Sequence, residues 1–317
     1  MWKDFLKTHV PESVLIPPAN FVKSIQLRRA RRLINASSAT FEYLAFEEIE
    51  RLDHQFRDTS FAASQKNYSD EQEMRVASER LKKIYRRVPG IDQMKNVLEL
   101  GCGTGACSRL LSQNYRIHTT GVDQVLPQPE TMNKTKFLDF IVMDAQDLKF
   151  DDQSFDLIFS FDAFEHIANP EKALKEAHRV LRPGGYLYLY FGPLFPSSLG
   201  LHLYNRIKIP YCQFLFRPED LNKYLSIKNR GSLDKSFCNG WSILDFRNLF
   251  DKMRLSFDTH FYQETPDLFN KGPLWKWPSC FRKVDDPESL FVSFIEVLLQ
   301  KPDKSPELIK SSVRQVR

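Results

Sequence analysis

The pattern of apolar and polar positions changes character twice along the chain, near residue 97 and again near residue 193. The first 96 residues are mostly polar and helical in texture. Ser69-Asp70-Glu71 predicts the capped start of a helix that runs through Glu73 to Arg87, and Pro89-Gly90 ends it. From Val97 onward, short apolar runs alternate with helical stretches, the rhythm of β-α-β units in a parallel sheet. Val97-Leu98-Glu99-Leu100 predicts a buried strand, Gly101 to Gly105 a tight turn, and Ala106 to Gln113 a helix. Further strands are predicted over Ile117 to Val122, closing at Asp123, over Phe140 to Met143, closing at Asp144, and over Phe155 to Phe161. Pro170 to Leu181 places Leu174, Ala177 and Leu181 on one helical face. Pro183-Gly184-Gly185 then turns the chain into a strand over Tyr186 to Phe191.

Beyond Pro193 the texture loosens into sequence rich in proline and aromatics. Trp241 to Met253 predicts a helix, Leu255 to Tyr262 a strand, and Leu290 to Leu299 a last strand whose Ser293 and Glu296 suit an edge position. The chain therefore divides into a helical extension (1–96), an α/β core (97–193), an inserted segment (194–240) that reads equally as a lid over the site or as a satellite hydrophobic cluster roofing the sheet, and a closing segment with a frayed tail (241–317). The predicted fold class is α/β: a Rossmann-like, doubly wound, mostly parallel sheet of seven strands.

Composition narrows the function classes. The chain has 317 residues and 42% hydrophobic content, which is ordinary globular composition. Five scattered cysteines without a CxxC pair argue against a disulfide framework or zinc site, and make a reducing cytosol the expected compartment. The opening MWKDFLKTHVPE lacks the apolar core of a signal peptide, and no apolar run has the length of a membrane span. Between 97 and 193 there are 9 Lys/Arg against 13 Asp/Glu, so an acidic middle sits between basic flanks. The net charge of +5 is too small to point to nucleic acid. Lys23, Arg28, Arg29, Arg31 and Arg32 form a basic run, either a solvated helix face or a contact for an anionic membrane surface. Aromatics are abundant, with 26 Phe, 11 Tyr and 4 Trp, and many fall between Tyr186 and Phe281. That placement assigns them to the substrate side and favours an apolar or ring-bearing ligand.

The candidate chemistry begins at Glu99-Leu100-Gly101-Cys102-Gly103-Thr104-Gly105. A strand, a glycine turn and a helix N-terminus bring backbone N–H groups close to a ligand. Asp123, at the end of the next strand, is placed to accept hydrogen bonds from ribose hydroxyls. The arrangement predicts a nucleoside site. Gly101, Gly103 and Ala106 also satisfy the dinucleotide fingerprint, so NAD competes on the loop alone.

Four ordered blocks decide between them: VLELGCGTG, GVDQ, MDAQDLKFDDQSFDLIFSFDAFEHI and EAHRVLRPGGYLYLYF. Over Val97 to Phe191 the chain resembles the class I S-adenosylmethionine-dependent methyltransferases, in particular the methyltransferase type 11 subgroup. The resemblance implies S-adenosylmethionine as cofactor. Glu99 and the Gly101/Gly103/Gly105 loop would hold its methionine portion and Asp123 its ribose. Asp144 with Ala145 would read its adenine edge, and Ser160 with Phe161 would meet the methionine end.

Methyl transfer is an in-line displacement in which the protein mainly aligns the reactants. A hydroxyl acceptor must lose a proton, which points to histidine. His166, just after the fourth strand, is the first candidate catalytic residue, with His202 in the lid as the second. Asp162, Glu165 and His166 could gather a divalent cation, but no further ligands are evident, so no metal site is expected. The expected substrate is a small apolar or aromatic, glycan or lipid-linked acceptor, with O-methylation favoured and no nucleic acid expected. The rival readings are an NAD-dependent oxidoreductase and a non-catalytic protein that retains the cofactor pocket.

Overall fold

The computed structural model describes residues 19–37, 40–58, 69–126, 136–203, 206–233 and 238–303. The N-terminal MWKDFLKTHVPE, Tyr204 of the lid and the tail after Asp303 lie outside these. In chain order the extension contributes helices α1 (Ala19–Ala36), α2 (Glu47–Gln55) and α3 (Asp70–Arg87). The core follows with β1 (Asn96–Leu100), α4 (Ala106–Tyr115), β2 (His118–Asp123), β3 (Leu138–Val142), β4 (Phe155–Phe161), α5 (Pro170–Val180) and β5 (Leu181–Phe191). The remainder carries α6 (Cys212–Leu215), α7 (Pro218–Ile227), α8 (Ile243–Met253), β6 (Asp258–Pro266), α9 (Gly272–Lys276) and β7 (Val292–Gln300).

The strands form one seven-stranded sheet in the order β3-β2-β1-β4-β5-β7-β6. β1 to β5 pair parallel, whereas β7 runs antiparallel to both β5 and β6. The doubly wound fold class expected from the sequence is therefore present. Strand alternation sorts the core into two faces. Leu98, Ile158, Leu187, Leu189, Val297 and Leu299 pack against α5 and α8, while Val97, Leu157, Phe159, Tyr188 and Leu298 pack against α3 and α4. α3 starts as its sequence dictates: Ser69 Oγ accepts from the Gln72 N–H at 3.3 Å, and Gln72 Oε1 accepts from the Ser69 N–H at 3.0 Å.

Two local expectations are corrected. Pro183-Gly184-Gly185 lies within β5 as an irregularity, because Phe155 pairs with Leu181 but Leu157 already pairs with Tyr186. β7 is an interior strand; β6 is the edge. Glu296 is accommodated there by partners, accepting from Arg87 Nε at 2.9 Å and from the Tyr188 hydroxyl at 3.0 Å.

Residues after β5 build a second core. Leu203, Ile207, Ile209, Tyr211, Leu215, Phe216 and Tyr224 pack with Ala30, Ile34, Ile49 and Leu52 of the extension, and with Phe281, Leu290 and Phe291 from the closing segment. Buried polar anchors fix this assembly. Asp267 accepts from the Ser198 N–H at 2.7 Å and pairs with Lys271 at 2.9 Å. Asp53 accepts from the Lys208 N–H at 2.7 Å, the Tyr224 hydroxyl at 2.8 Å and Arg230 Nη1 at 2.7 Å. The basic run on α1 is partly absorbed: Lys23 pairs with Glu288 at 2.8 Å, and Arg29 lies 4.6 Å from the Trp275 ring centroid. Among the described residues no helix is long and apolar enough to cross a membrane.

Asp53→Ala would remove the acceptor shared by three donors, the buried Tyr224 hydroxyl, the Lys208 N–H and the part-exposed Arg230 guanidinium, which keeps the Arg206 carbonyl. We expect a loss of about 3 kcal/mol, read as a lower denaturant midpoint. An unchanged midpoint would show that the Asp53 contacts do not hold the extension to the second core.

Candidate functional site

A cleft of about 640 Å³ opens at the carboxyl ends of β1, β2, β3 and β4, where the order of the strands reverses. Its floor is the turn after β1. Gly101, Gly103 and Gly105 take left-handed φ of 69°, 51° and 73°. At Gly101 a Cβ would stand 2.3 Å from Ala163 Cβ, whereas at Gly103 it would meet nothing within 4 Å. Gly101 is thus required by its neighbour, and Gly103 leaves open space for a ligand. The N–H groups of Gly101 and Cys102 are spent on the Val122 carbonyl at 2.8 and 3.0 Å, which pins the loop to β2.

The three carboxylates predicted for the cofactor meet in this cleft with their neighbours. Glu99 is 3% exposed and accepts from the Ser108 N–H at 3.0 Å and from Ser108 Oγ at 2.5 Å, so it caps α4 in place of Gly105, whose lack of a side chain leaves it no capping atom. Burial pushes the Glu99 carboxyl up to about 7, against the Ser108 hydrogen bonds and the Arg80 charge. Asp123 Oδ2 accepts from the Gly103 N–H at 2.9 Å, tying the ends of β1 and β2. Asp144 Oδ1 accepts from the Gln146 N–H at 2.8 Å, which fixes its carboxylate beside Ala145. Asp123, Asp144 and Ala145 all line the cleft, as do Phe161, Asp162 and His166.

Ser160 is a correction. It is fully buried, does not line the cleft, and donates Oγ to the Leu100 carbonyl at 2.8 Å, so it links β4 to β1. Gly105 likewise lies behind the lining and serves as the N-cap of α4. The aromatic side chains after Tyr186 are corrected too. Among the lining residues Phe161 is the sole Phe, Tyr or Trp, while Tyr211, Phe216 and Phe281 fill the second core. Aromatic abundance there serves packing.

Sequence reasoning missed Arg80. It reaches in from α3, ion-pairs with Asp162, and lies 5.3 Å from the Phe161 ring centroid. The signal was its position on the face of α3 that also carries the buried Ala77 and Ile84, where a charge needs a partner. Asp162 itself sits at φ 50°, at the turn after β4, with its N–H on the Tyr190 carbonyl at 2.9 Å.

The two candidate histidines come together although 36 positions apart in sequence. Their ring centroids are 5.0 Å apart at 81°. His166 faces the cleft, while His202 is buried behind it and donates from Nε2 to the Pro193 carbonyl at 2.8 Å. Burial lowers the His202 imidazole to about 4. Cys102 and Cys107 are buried thiols raised far above their ordinary range by desolvation, which removes them as nucleophiles.

The group whose fit this cleft tests is a nucleoside with a cationic tail. Glu73, Glu99, Asp123, Asp144 and Asp162 line it against one guanidinium, Arg80, already paired with Asp162. Carboxylates at the ends of β2 and β3 are of the chemical type that can accept hydrogen bonds from ribose hydroxyls and an exocyclic amine. The acidic wall attracts a sulfonium and an ammonium. It repels a pyrophosphate.

The family model described as a methyltransferase domain matches residues 98–189. Over 97 residues the chain is 40% identical to the 2-methyl-6-phytyl-1,4-hydroquinone methyltransferase of Synechocystis, covering 29% of this chain and 30% of that protein. It is 38% identical over 97 residues to a mouse protein named "Probable tRNA methyltransferase 9B", covering 30% and 21% respectively. It is 31% identical over 125 residues to the O-methyltransferase rstn1 of Aspergillus nomiae, covering 37% and 55%. These matches span between a fifth and a little over half of the relatives' own lengths.

Glu99 and His202 pull stability in opposite directions with pH. Glu99 binds its proton more tightly folded than unfolded, so its contribution falls as pH rises from 4.5 to about 7. His202 binds its proton less tightly folded, so its contribution rises from about 4 to 6.5. The two offset each other where the windows overlap. In Glu99→Gln, unfolding free energies measured at pH 5 and 6.5 should therefore gain about 2 kcal/mol on wild type across that interval. A pH profile parallel to wild type would show that Glu99 is not held in its neutral form.

Proposed function

We propose that this chain, which through residues 98–189 belongs to the class I S-adenosylmethionine-dependent methyltransferases, moves a methyl group onto an oxygen of a small-molecule acceptor. The domain's cofactor is S-adenosylmethionine, and the observation that carries the reading is the acidic cleft at the ends of β1 to β4. Its excess of carboxylate favours a ligand with a net positive charge over a dinucleotide. When bound, the cofactor supplies a methyl group activated by its sulfonium leaving group.

The chain's own residues supply alignment. Asp123 accepts from the ribose, and Asp144 with Ala145 faces the base. Glu99 and the glycine turn enclose the amino-acid end. Arg80 keeps Asp162 fixed over the turn after β4, so that the wall beside the reacting end does not move. Val76, Ala77 and Ile167 contribute apolar lining, and α3 forms one wall of the cleft. An acceptor hydroxyl must lose its proton at this end, where His166 presents its imidazole.

One relative, named an O-methyltransferase, supports an oxygen acceptor, and another, named for a hydroquinone, supports a ring-bearing molecule. The same acidic lining disfavours a polyanion such as RNA as the molecule that enters the cleft. A glycan or lipid-linked acceptor fits the reading equally in charge, and the exposed Arg28, Arg31 and Arg32 of α1 could hold the chain at an anionic membrane surface.

Thermal denaturation with S-adenosylmethionine, S-adenosylhomocysteine and NAD tests the cofactor. At ~100 times its dissociation constant, either sulfur ligand should add on the order of 2.7 kcal/mol to the folded state, and NAD should add nothing. Asp123→Ala should weaken the sulfur ligands while leaving the unliganded melting point near wild type. Stabilisation by NAD alone would overturn the proposal. Transfer of labelled methyl to a panel of phenols and quinols tests the acceptor, and His166→Ala should lower kcat by roughly 10²–10⁴-fold. Normal turnover by that variant would remove His166 from the proton's path.

A further inference from the structure

Glu165, His166 and His202 each bring one ligating atom within 4.8 Å of the others at the inner end of the cleft. Among the described residues this is the grouping of nitrogen and oxygen ligands that a metal ion could use. We propose that these three side chains form a binding site for a first-row divalent cation of the Zn²⁺, Fe²⁺ or Mn²⁺ type. The sequence offers Glu165 and His166 as neighbours; the fold supplies His202.

The first support is the state of Glu165. It is 1% exposed, and neither carboxylate oxygen makes a hydrogen bond. The N–H groups of Glu165 and Gly192 approach the carboxyl without reaching full hydrogen-bond geometry, and His166 Nε2 stands 3.7 Å from Oε1. A buried carboxyl with no hydrogen bond costs several kcal/mol, a cost that the core would avoid with an apolar residue. A bound cation would supply the partner that these buried oxygens lack.

The second support is the tautomer of His202. The 2.8 Å contact between Nε2 and the Pro193 carbonyl is a hydrogen bond only if Nε2 carries the proton. That leaves Nδ1 with the lone pair. A ligand imidazole whose other nitrogen donates to a backbone carbonyl is the arrangement by which proteins orient histidine toward a metal. The turn carrying the other two ligands is clamped as well. Asn239 donates its N–H to the Glu165 carbonyl at 2.8 Å and its Nδ2 to the Ile167 carbonyl at 3.1 Å.

Two imidazoles and one carboxylate select borderline cations over Ca²⁺ or Mg²⁺, which prefer all-oxygen shells. Bonds of roughly 2.0–2.2 Å require the ligand atoms to close in by about 1 Å through side-chain rotation. Three protein ligands leave positions open toward the cleft that His166 lines. The catalytic use of those positions rests on the methyl-transfer reading; the site itself does not. An acceptor hydroxyl held there would release its proton to solvent water at lower pH than when free, leaving both O–H bonding electrons on the oxygen that attacks the methyl carbon, while the methyl C–S bond would break with its electron pair going to sulfur as the neutral thioether. His166 would then act as a ligand and not as the base.

The test is a titration of metal-free full-length protein with Co²⁺, followed by its visible absorption, with equilibrium dialysis against Zn²⁺ alone. We expect one ion per chain, and at least tenfold weaker binding in Glu165→Gln and in His202→Asn. Glu165→Gln is nearly isosteric and removes a buried carboxyl, so it should fold; its stabilisation by S-adenosylhomocysteine reports an intact cleft. No stoichiometric binding by wild type, equal binding by both variants, or a sulfur-to-metal charge-transfer band from the free thiols would overturn the site. Metal binding without stabilisation by S-adenosylhomocysteine would leave the site standing and defeat the methyl-transfer reading. The converse result would defeat the site alone.

Discussion

Parallel pairing of β1 with β2 on one side and β4 on the other is the constraint on which the molecule depends. Each of these strands must return to the same end of the sheet through a connection over one face or the other. Where connections leave β1 and β4 in opposite directions, no backbone fills the gap above the strand ends. That gap is the cleft. Every group that lines it is set by where a strand stops: Gly101 after β1, Asp123 at the last residue of β2, Asp144 just beyond β3, and Asp162 just beyond β4.

The electrostatics follow from the same geometry. Strand ends deliver carboxylates into a partly enclosed volume, so their repulsion must be relieved by hydrogen bonds or by cations. Asp123 and Asp144 are relieved by backbone N–H groups, Asp162 by Arg80, and Glu99 by Ser108. Asp123, Asp144 and Asp162 still outnumber the one guanidinium, Arg80, that faces them across the cleft. A ligand with net positive charge completes the relief. Cofactor preference is thus a consequence of carboxylates concentrated at one end of a parallel sheet.

The second core explains how a chain with so many aromatics stays compact. The α/β sheet needs α3 and α4 on one face and α5 and α8 on the other, and neither helical layer reaches past the ends of β5 and β7. Residues 206–233 and the extension cover that region together, with Tyr211 and Phe281 edge to face at 5.3 Å. Burying these rings fixes the segment after Pro193, and with it His202. A region that reads as a loose lid is held by its own apolar packing and by the buried Asp53 and Asp267 anchors.

The sequence by itself determined the strand-turn-helix order, the glycine turn, the strand-terminal aspartates and the doubly wound class. These depend on local rules: period-two and helical spacing, capping by Ser69, and glycine at left-handed φ. It could not place Ser160, because a residue next to a strand end points either into the cleft or into the sheet according to register with its neighbour. It could not find Arg80, whose partner lies 82 positions away, nor join His202 to Glu165 and His166. Nor could it tell an interior β7 from an edge, since Glu296 looks the same whether solvent or Arg87 meets it. Such contacts are decided by the packing of distant segments. Tertiary structure alone brought α3 of the extension onto the cleft that the core sequence had already specified, and placed His202 of the segment after Pro193 behind it.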